Sequence, residues 1–369
     1  MKILHAAETI KGGVATVMRQ LVIDQLQPNK ENIVFCLIPS NQRQEVASID
    51  EKYLVKYRRK GRGIYSFISF FFSFIKTIIK LKPEIVHLHS TFSGALGRVA
   101  LVLLKPVCNP KVVYCPHAFS FLMQSSNKKR KIYEYIEKIL SRFTDAIICV
   151  SEYEKNKAIE VGLPPNKLRV VHNGVSAQKI EQIPITPYQT ERINMLFVGR
   201  FDYQKGFDIL AKVMHLLEGQ AFHLTAVGGA VHDQAFDTEV IPQTTFTGWL
   251  NAESLAPYFI HADVLVMPSR WEGFAMVPLE AMSYGLPVLA TNSTSLPELV
   301  IHNRTGFLFE MEDADKIVEY LKNTSPEKWR LMGREAKAYF ESNFTANEMI
   351  LKTSEIYNEL LDNNTRRFF

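Results

Sequence analysis

Met267 to Leu299 read MPSRWEGFAMVPLEAMSYGLPVLATNSTSLPEL, and this stretch decides the architecture. Val264 to Met267 form an apolar run suited to a buried β-strand, and Ser269 to Gly273 turn the chain. The residues that follow carry a helical pattern with Glu280, eight residues beyond Glu272. The turn therefore delivers one carboxylate at a strand's C-terminal edge, and the next helix delivers another into the same crevice. In open α/β sheets that edge is where ligands bind.

Two neighbouring carboxylates fit more than one chemistry. They can act as general acid and base across a glycosidic bond, or as acceptors for sugar hydroxyls. They can also be no more than a helix cap and a surface ion pair. The backbone amides of Phe274, Ala275 and Met276 are expected in the first helical turn, where amides lack intrahelical partners and donate to anions. Carboxylates flanking free amides suit a polyhydroxylated anion such as a nucleotide sugar.

The segment SRWEGFAMVPLEAMSYGLPVLAT resembles the E-x-x-x-x-x-x-x-E region of the retaining family 4 glycosyltransferases of GT-B fold, with Glu272 and Glu280 as its glutamates. The likeness extends in order through VHNGV (Val171 to Val175), GRFDYQKG (Gly199 to Gly206), PEL (Pro297 to Leu299) and TGFL (Thr305 to Leu308). Ala275 stands where many members carry a second glycine, which tightens the loop near the donor sugar. The resemblance implies two Rossmann-like domains with parallel sheets facing across a cleft. It also implies a bacterial surface-polysaccharide enzyme that takes a nucleotide-sugar donor to a glycan or lipid-linked acceptor.

The length of 369 residues exceeds what one core usually supports, so two domains are expected. Near-continuous Val/Ile runs (LHAA, NIVFCLI, IVHLH, KVVYC, AIICV, LRVVH) alternate with helical patterns in the first half and indicate strands buried on both faces of a parallel sheet. Ser176 to Arg192, with IPITP, breaks the alternation and reads as a linker. It resumes as NMLFVG, FHLTAVGG, TFTG, VLVMPS, PVLAT and GFLFE, then ends in helical patterns over Pro326–Phe344 and Ala346–Leu361. The expected domains are residues 1–178, an acceptor domain to which a C-terminal helix at 346–369 returns, and residues 190–345, a donor domain.

Arg200 is expected at a strand end and Lys205 at the start of the next helix. Two cations around one βα turn make a diphosphate site, and the resemblance assigns both to that role. Gly12 and Gly13 precede a helix and let backbone approach a ligand closely; G-x-G-x-x-G is missing, so a nicotinamide enzyme is disfavoured. His117 ends VVYCPH, and the resemblance makes it a contact to the donor sugar. Asn173 with Gly174 reads as a hinge contact, and Trp249 and Leu250 as a border for the base. His87 and His89 are read as pointing to opposite faces of their strand, so that they cannot share a metal. Asp313 and Asp315 read as a helix N-cap rather than a metal site.

No metal and no cofactor are therefore expected, with Arg200, Lys205 and amides stabilising the leaving diphosphate. A nucleotide-sugar 2-epimerase and a non-catalytic partner subunit share the architecture and remain open. Cys36, Cys108, Cys115 and Cys149 lack C-x-x-C spacing and read as free thiols of a cytoplasmic protein. The N-terminus shows no leader pattern. Residues 1–180 hold 28 Lys+Arg against 13 Asp+Glu, whereas residues 181–369 hold 15 against 25. The basic half points to an anionic membrane surface, not nucleic acid, as partner, and to a peripheral place on the inner face of the cytoplasmic membrane. Within it, KYRRKGR (Lys56 to Arg62) precedes IYSFISFFFSFIKTIIK, which is shorter than a spanning helix. There Ser66, Ser69, Ser73, Lys76, Thr77 and Lys80 are expected to form one polar stripe beside a wide apolar arc.

Overall fold

The computed structural model describes residues 1–61, 63–124, 126–178, 182–188, 191–230 and 241–365. Arg62 and residues 179–181 and 189–190 of the expected linker lie outside them. The chain forms two compact units, Met1–Asn173 with Asn347–Phe369, and Gly174–Ala346.

The first unit is a seven-stranded parallel sheet of β1 (Lys2–Ala7), β2 (Ile33–Pro39), β3 (Leu54–Tyr57), β4 (Ile85–His89), β5 (Lys111–Cys115), β6 (Ala146–Cys149) and β7 (Leu168–Val170). Its spatial order is β3-β2-β1-β4-β5-β6-β7, so the winding reverses between β1 and β4. The edge strand β3, LVKY, was not among the expected strands. At four residues, with a lysine, it lacks the apolar run that marks its buried neighbours.

Helices α1 (Gly13–Gln25), α2 (Ile64–Leu81), α3 (Thr91–Leu104), α4 (Asn127–Ser141) and α5 (Glu152–Val161) connect these strands, and α12 (Ala346–Thr365) belongs to the same unit. Alternate residues of each strand serve different faces. Leu4, Ala6, Val86 and Leu88 pack with Phe70, Phe74 and Ile78 of α2 and Ala100, Leu101 and Leu104 of α3. The other face carries His5, His87 and His89 against Gln25 of α1 and Tyr357 of α12.

The polar stripe expected on α2 is divided: Lys76 and Lys80 are exposed, Ser69 and Ser73 are half-buried, and the other two members are covered. Ser66 and Thr77 are buried, Ser66 Oγ accepting from the Lys60 amide and Thr77 donating to the Ser73 carbonyl. Ile64, Tyr65, Ile68, Phe72 and Ile79 are also exposed. The three large core residues, Phe70, Phe74 and Ile78, lie on the same side as the small hydroxyl residues and fix the helix rotation, because only that side seats them on the sheet.

The second unit holds β8 (Ile193–Arg200), β9 (Phe222–Gly229), β10 (Thr244–Gly248), β11 (Val264–Met267), β12 (Val288–Thr291) and β13 (Gly306–Phe309), all parallel, in the order β10-β9-β8-β11-β12-β13. Its helices are α6 (Phe207–Leu216), α7 (Ala252–His261), α8 (Met276–Ser283), α9 (Leu296–Leu299), α10 (Ala314–Asn323) and α11 (Pro326–Asn343). One face is sealed by Phe207, Leu210 and Met214 of α6 with Trp329 and Met332 of α11. Here the winding reverses between β8 and β11, and open sheets bind ligands at that point. All four cysteines are free thiols.

A buried ion pair ties α3 to α4 in the first unit. Arg98 donates to Glu137 Oε2 at 2.9 Å and lies 4.0 Å over the Tyr114 ring, and the Tyr114 hydroxyl donates to Glu137 Oε1 at 3.0 Å. Removing one charge leaves its partner desolvated and unpaired. Glu137→Gln is therefore expected to lose about 3–5 kcal/mol of stability in urea unfolding, although it changes only one atom.

Candidate active site

Two residues of the second unit that sequence reasoning selected, Lys205 and Glu272, meet at the β8/β11 reversal, and Arg200 begins the same turn as Lys205. Arg200 is the last residue of β8. Its guanidinium donates to Gln204 Oε1 at 2.7 Å and pairs with Asp202 at 3.0 Å. Asp202 also accepts the Lys205 amide at 2.9 Å, which closes the turn. Lys205 then reaches across to the loop after β11, its Nζ 2.6 Å from Glu272 Oε1. Sequence distance hid this contact: the pair lies 67 positions apart.

The approach of the two loops depends on Gly206. It has φ +67°, and a Cβ there would lie 1.9 Å from the Pro268 carbonyl oxygen, so only glycine fits. Arg270, which sequence reasoning missed, clamps the same loops. It engages Asp208 in bidentate fashion at 2.6 and 2.8 Å, Glu312 at 2.7 Å and the Tyr203 carbonyl at 2.6 Å, and lies 3.7 Å over the Tyr203 ring. The side chain is 4% exposed. A lone arginine in a turn gives no local sign of such partners. The Glu272 amide is held by Thr294 Oγ1 at 3.0 Å.

α8 begins at Met276, with Ala275 as an extended N-cap that no side chain caps. Phe274 and Ala275 therefore precede the helix rather than forming its first turn as expected, because Pro278 is best accommodated in the first turn and sets the start there. The amide of Met276 is the one of the three inside the helix. Ala275 sits at φ −70°, where alanine is unstrained, so this loop does not need the second glycine. Glu280 lies one turn into α8, and burial raises its carboxyl to about pKa 7. Trp249 is exposed beyond β10 and packs against Gly229 at the end of β9, with Leu250 half-buried beside it. Asp313 caps α10, accepting the Lys316 amide at 2.9 Å, as expected.

The remaining site residues belong to the first unit. Gly12 (φ +60°), with open space where a Cβ would lie, caps α1, and Gly13 begins it. Asn173 is buried at the end of the unit's continuous segment. β5 ends at Cys115, so His117 lies two residues beyond its strand, in a left-handed backbone with φ 54°.

The expectation that His87 and His89 face opposite ways is wrong. Residues i and i+2 of a strand share a face, and the two rings stack with centroids 4.0 Å apart. With His5 they bring three ligating nitrogens within 4.8 Å of one another. The set still fits a metal poorly. His5 bonds Gln25 and His89 through its two nitrogens, and His89 bonds His5 and His117.

The two parallel sheets, each reversing its winding once, define a pair of Rossmann-like units, and comparison with known proteins gives the family. The sequence profile described as Glycosyltransferase Family 4 matches residues 11–179, and that described as Glycosyl transferases group 1 matches residues 178–336. The chain belongs to the family 4 glycosyltransferases of GT-B fold. It is 38% identical over 365 residues to an uncharacterized 41.2 kDa protein in the cps region of Klebsiella pneumoniae, covering 97% of this chain and 99% of that one. It is 28% identical to the Escherichia coli UDP-Gal:alpha-D-GlcNAc-diphosphoundecaprenol alpha-1,3-galactosyltransferase, over 79% of each. Sucrose-phosphate synthase from Thermosynechococcus elongatus shares the fold, with a TM-score of 0.80 at 19% identity over 98% of this chain and 100% of that one.

Glu280 makes stability depend on pH. Its folded pKa of about 7 lies above the ordinary 4.5, so the native state keeps a proton that the unfolded state has lost. Stability contributed by this group is expected to fall as pH rises from about 4.5 to 7 and to level off above that, by on the order of 3 kcal/mol at most. Thermal unfolding across pH 5–8 should show a shallower decline in Glu280→Gln than in wild type.

Proposed function

We propose that this glycosyltransferase moves a hexose from a UDP-sugar to a lipid-linked glycan, with retention of anomeric configuration and without a metal, in bacterial surface-polysaccharide synthesis. The observation that carries the reading is the Arg200, Lys205 and Glu272 cluster at the β8/β11 reversal. As the sugar leaves, negative charge grows on the diphosphate. Arg200 and Lys205 stabilise it, with the Met276 amide at the start of α8 adding a donor. Lys205 exchanges part of its bond to Glu272 for the phosphate, which frees Glu272 to accept a sugar hydroxyl. Glu280 accepts from the ribose, and Trp249 and Leu250 border the base. The uridine donor and polyprenyl-diphosphate acceptor are supported by what the Escherichia coli relative's name says it uses, and the polysaccharide setting by the cps region of the Klebsiella relative.

Arg200→Ala and Lys205→Ala are each expected to lower kcat about 100 to 1000-fold, measured as UDP release from donor plus acceptor. The thermal midpoint of Arg200→Ala should stay near wild type, whereas Lys205→Ala, which leaves the nearly buried Glu272 without its partner, should also lower it. Near-normal turnover in both variants would remove the diphosphate assignment.

A membrane-docking role for the first unit is supported by its outer surface. Ile64 and Phe72 of α2, Leu103 of α3, and Ile132 and Tyr135 of α4 expose 73, 65, 64, 58 and 66% of their area. Lys76, Lys80, Lys105 and Lys128–Lys131 are exposed on the same helices or next to them. Arg59 is not part of this set, since it pairs at 2.8 Å with the buried Glu8. The protein is expected to float with anionic phosphatidylglycerol vesicles at low salt and much less with neutral ones. Replacing Lys128, Lys129, Arg130 and Lys131 by Ser should weaken flotation by roughly 100-fold or more, at ~1 kcal/mol per cation. Failure to float with anionic vesicles at low salt would make the surface an apolar protein contact instead.

A further inference from the structure

Four side chains on one face of the first unit's sheet form a single file. Gln25 Oε1 lies 2.8 Å from His5 Nε2, His5 Nδ1 lies 3.0 Å from His89 Nε2, and His89 Nδ1 lies 3.0 Å from His117 Nε2. They come from α1, β1, β4 and the loop after β5, so three crossovers are needed to assemble them. His5 and His89 are fully buried and Gln25 nearly so. Burial depresses His5 and His117 to about pKa 4 and His89 far below its usual range, aided there by the neighbouring histidines. All three imidazoles are therefore neutral at pH 7.

A neutral imidazole has one N–H and one lone pair. In a file of such rings each bond uses one donor and one acceptor, so the tautomers cannot be chosen independently. The Gln25 carbonyl oxygen accepts from His5 Nε2–H. That leaves a lone pair on His5 Nδ1, which takes the Nε2–H of His89, whose Nδ1 in turn takes the Nε2–H of His117. We infer that Gln25, His5 and His89 are positioning residues that fix His117 in its Nε2–H tautomer and present its Nδ1 as an acceptor for a substrate hydroxyl.

The backbone around His117 supports this assignment. His117 and Ala118 both have positive φ, 54° and 110°, a conformation that costs a side-chain-bearing residue free energy. Glu154, fully buried, holds the loop by accepting the Phe119 amide at 2.9 Å and the Val150 amide at 2.7 Å. A loop strained to bring one imidazole onto the end of the file is accounted for if the file sets that ring's state. His87 is not a member: it bonds the Tyr357 hydroxyl at 2.6 Å and stacks against His89.

The role in catalysis rests on His117 touching the donor sugar, but the tautomer can be read without substrate. In protein labelled with 15N-histidine, two-bond proton–nitrogen spectra separate the two tautomers, with single His→Asn variants giving the assignments. His5, His89 and His117 are expected as Nε2–H tautomers, unchanged between pH 5.5 and 8. Gln25→Leu should shift His117 to a mixture. An Nδ1–H His117 in wild type, its titration near pH 6.5, or a His117 unmoved by Gln25→Leu would each overturn the assignment. These outcomes do not depend on turnover, so they separate this inference from the reaction proposed above.

Discussion

The loops after β8 and β11 depend on one buried cation. Arg270 sits at the end of the β11 loop with Asp208, Glu312 and the Tyr203 carbonyl around it, and its guanidinium face rests on the Tyr203 ring. Desolvating a guanidinium is costly unless its donors are satisfied, and here the planar fork meets a carboxylate in bidentate geometry. Two carboxylates from different elements can be satisfied only if the β8 and β11 loops stay together. That closeness is what sets Lys205 against Glu272, and Gly206 supplies the room for it.

The first unit uses the two faces of one sheet for different ends. On one side Phe70, Phe74 and Ile78 seat α2 by apolar burial, and the Arg98–Glu137 pair fixes α3 against α4. On the other side the packing is polar, with imidazoles, Gln25 and Tyr357 in a fully buried layer. Buried polar groups are tolerated when they bond one another, and a file of neutral rings achieves this without a charge. An apolar layer would pack as well but would carry no directional information to His117.

The outer surface of α2 to α4 follows from the same economy of burial. The apolar residues that the sheet cannot cover remain exposed between lysines. The 18-residue α2 has the length and composition of a marginal membrane span, yet it serves as a crossover between β3 and β4, and its Phe70, Phe74 and Ile78 belong to the sheet's core.

Much of this was legible in the sequence because it is local. Unbroken Val/Ile runs mark strands buried on both faces, and helical patterns between them mark crossovers, so twelve of the thirteen strands could be placed. The glutamates of the Glu272 to Glu280 spacing, the Arg200 to Lys205 turn and the Asp313 cap lie on single elements or adjoining ones. What only the tertiary structure decided involves partners distant in the chain. The rotation of α2 was set by which residues fit the sheet, not by the count of polar ones. Arg270 found its role through residues 62 and 42 positions away. The imidazole file spans Gln25 and residues 5 to 117, and the shared face of His87 and His89 gains its meaning only from the ring that each touches. Hydrogen bonds between remote segments leave no periodic trace, since one polar residue inside an apolar strand reads the same whether or not a partner awaits it.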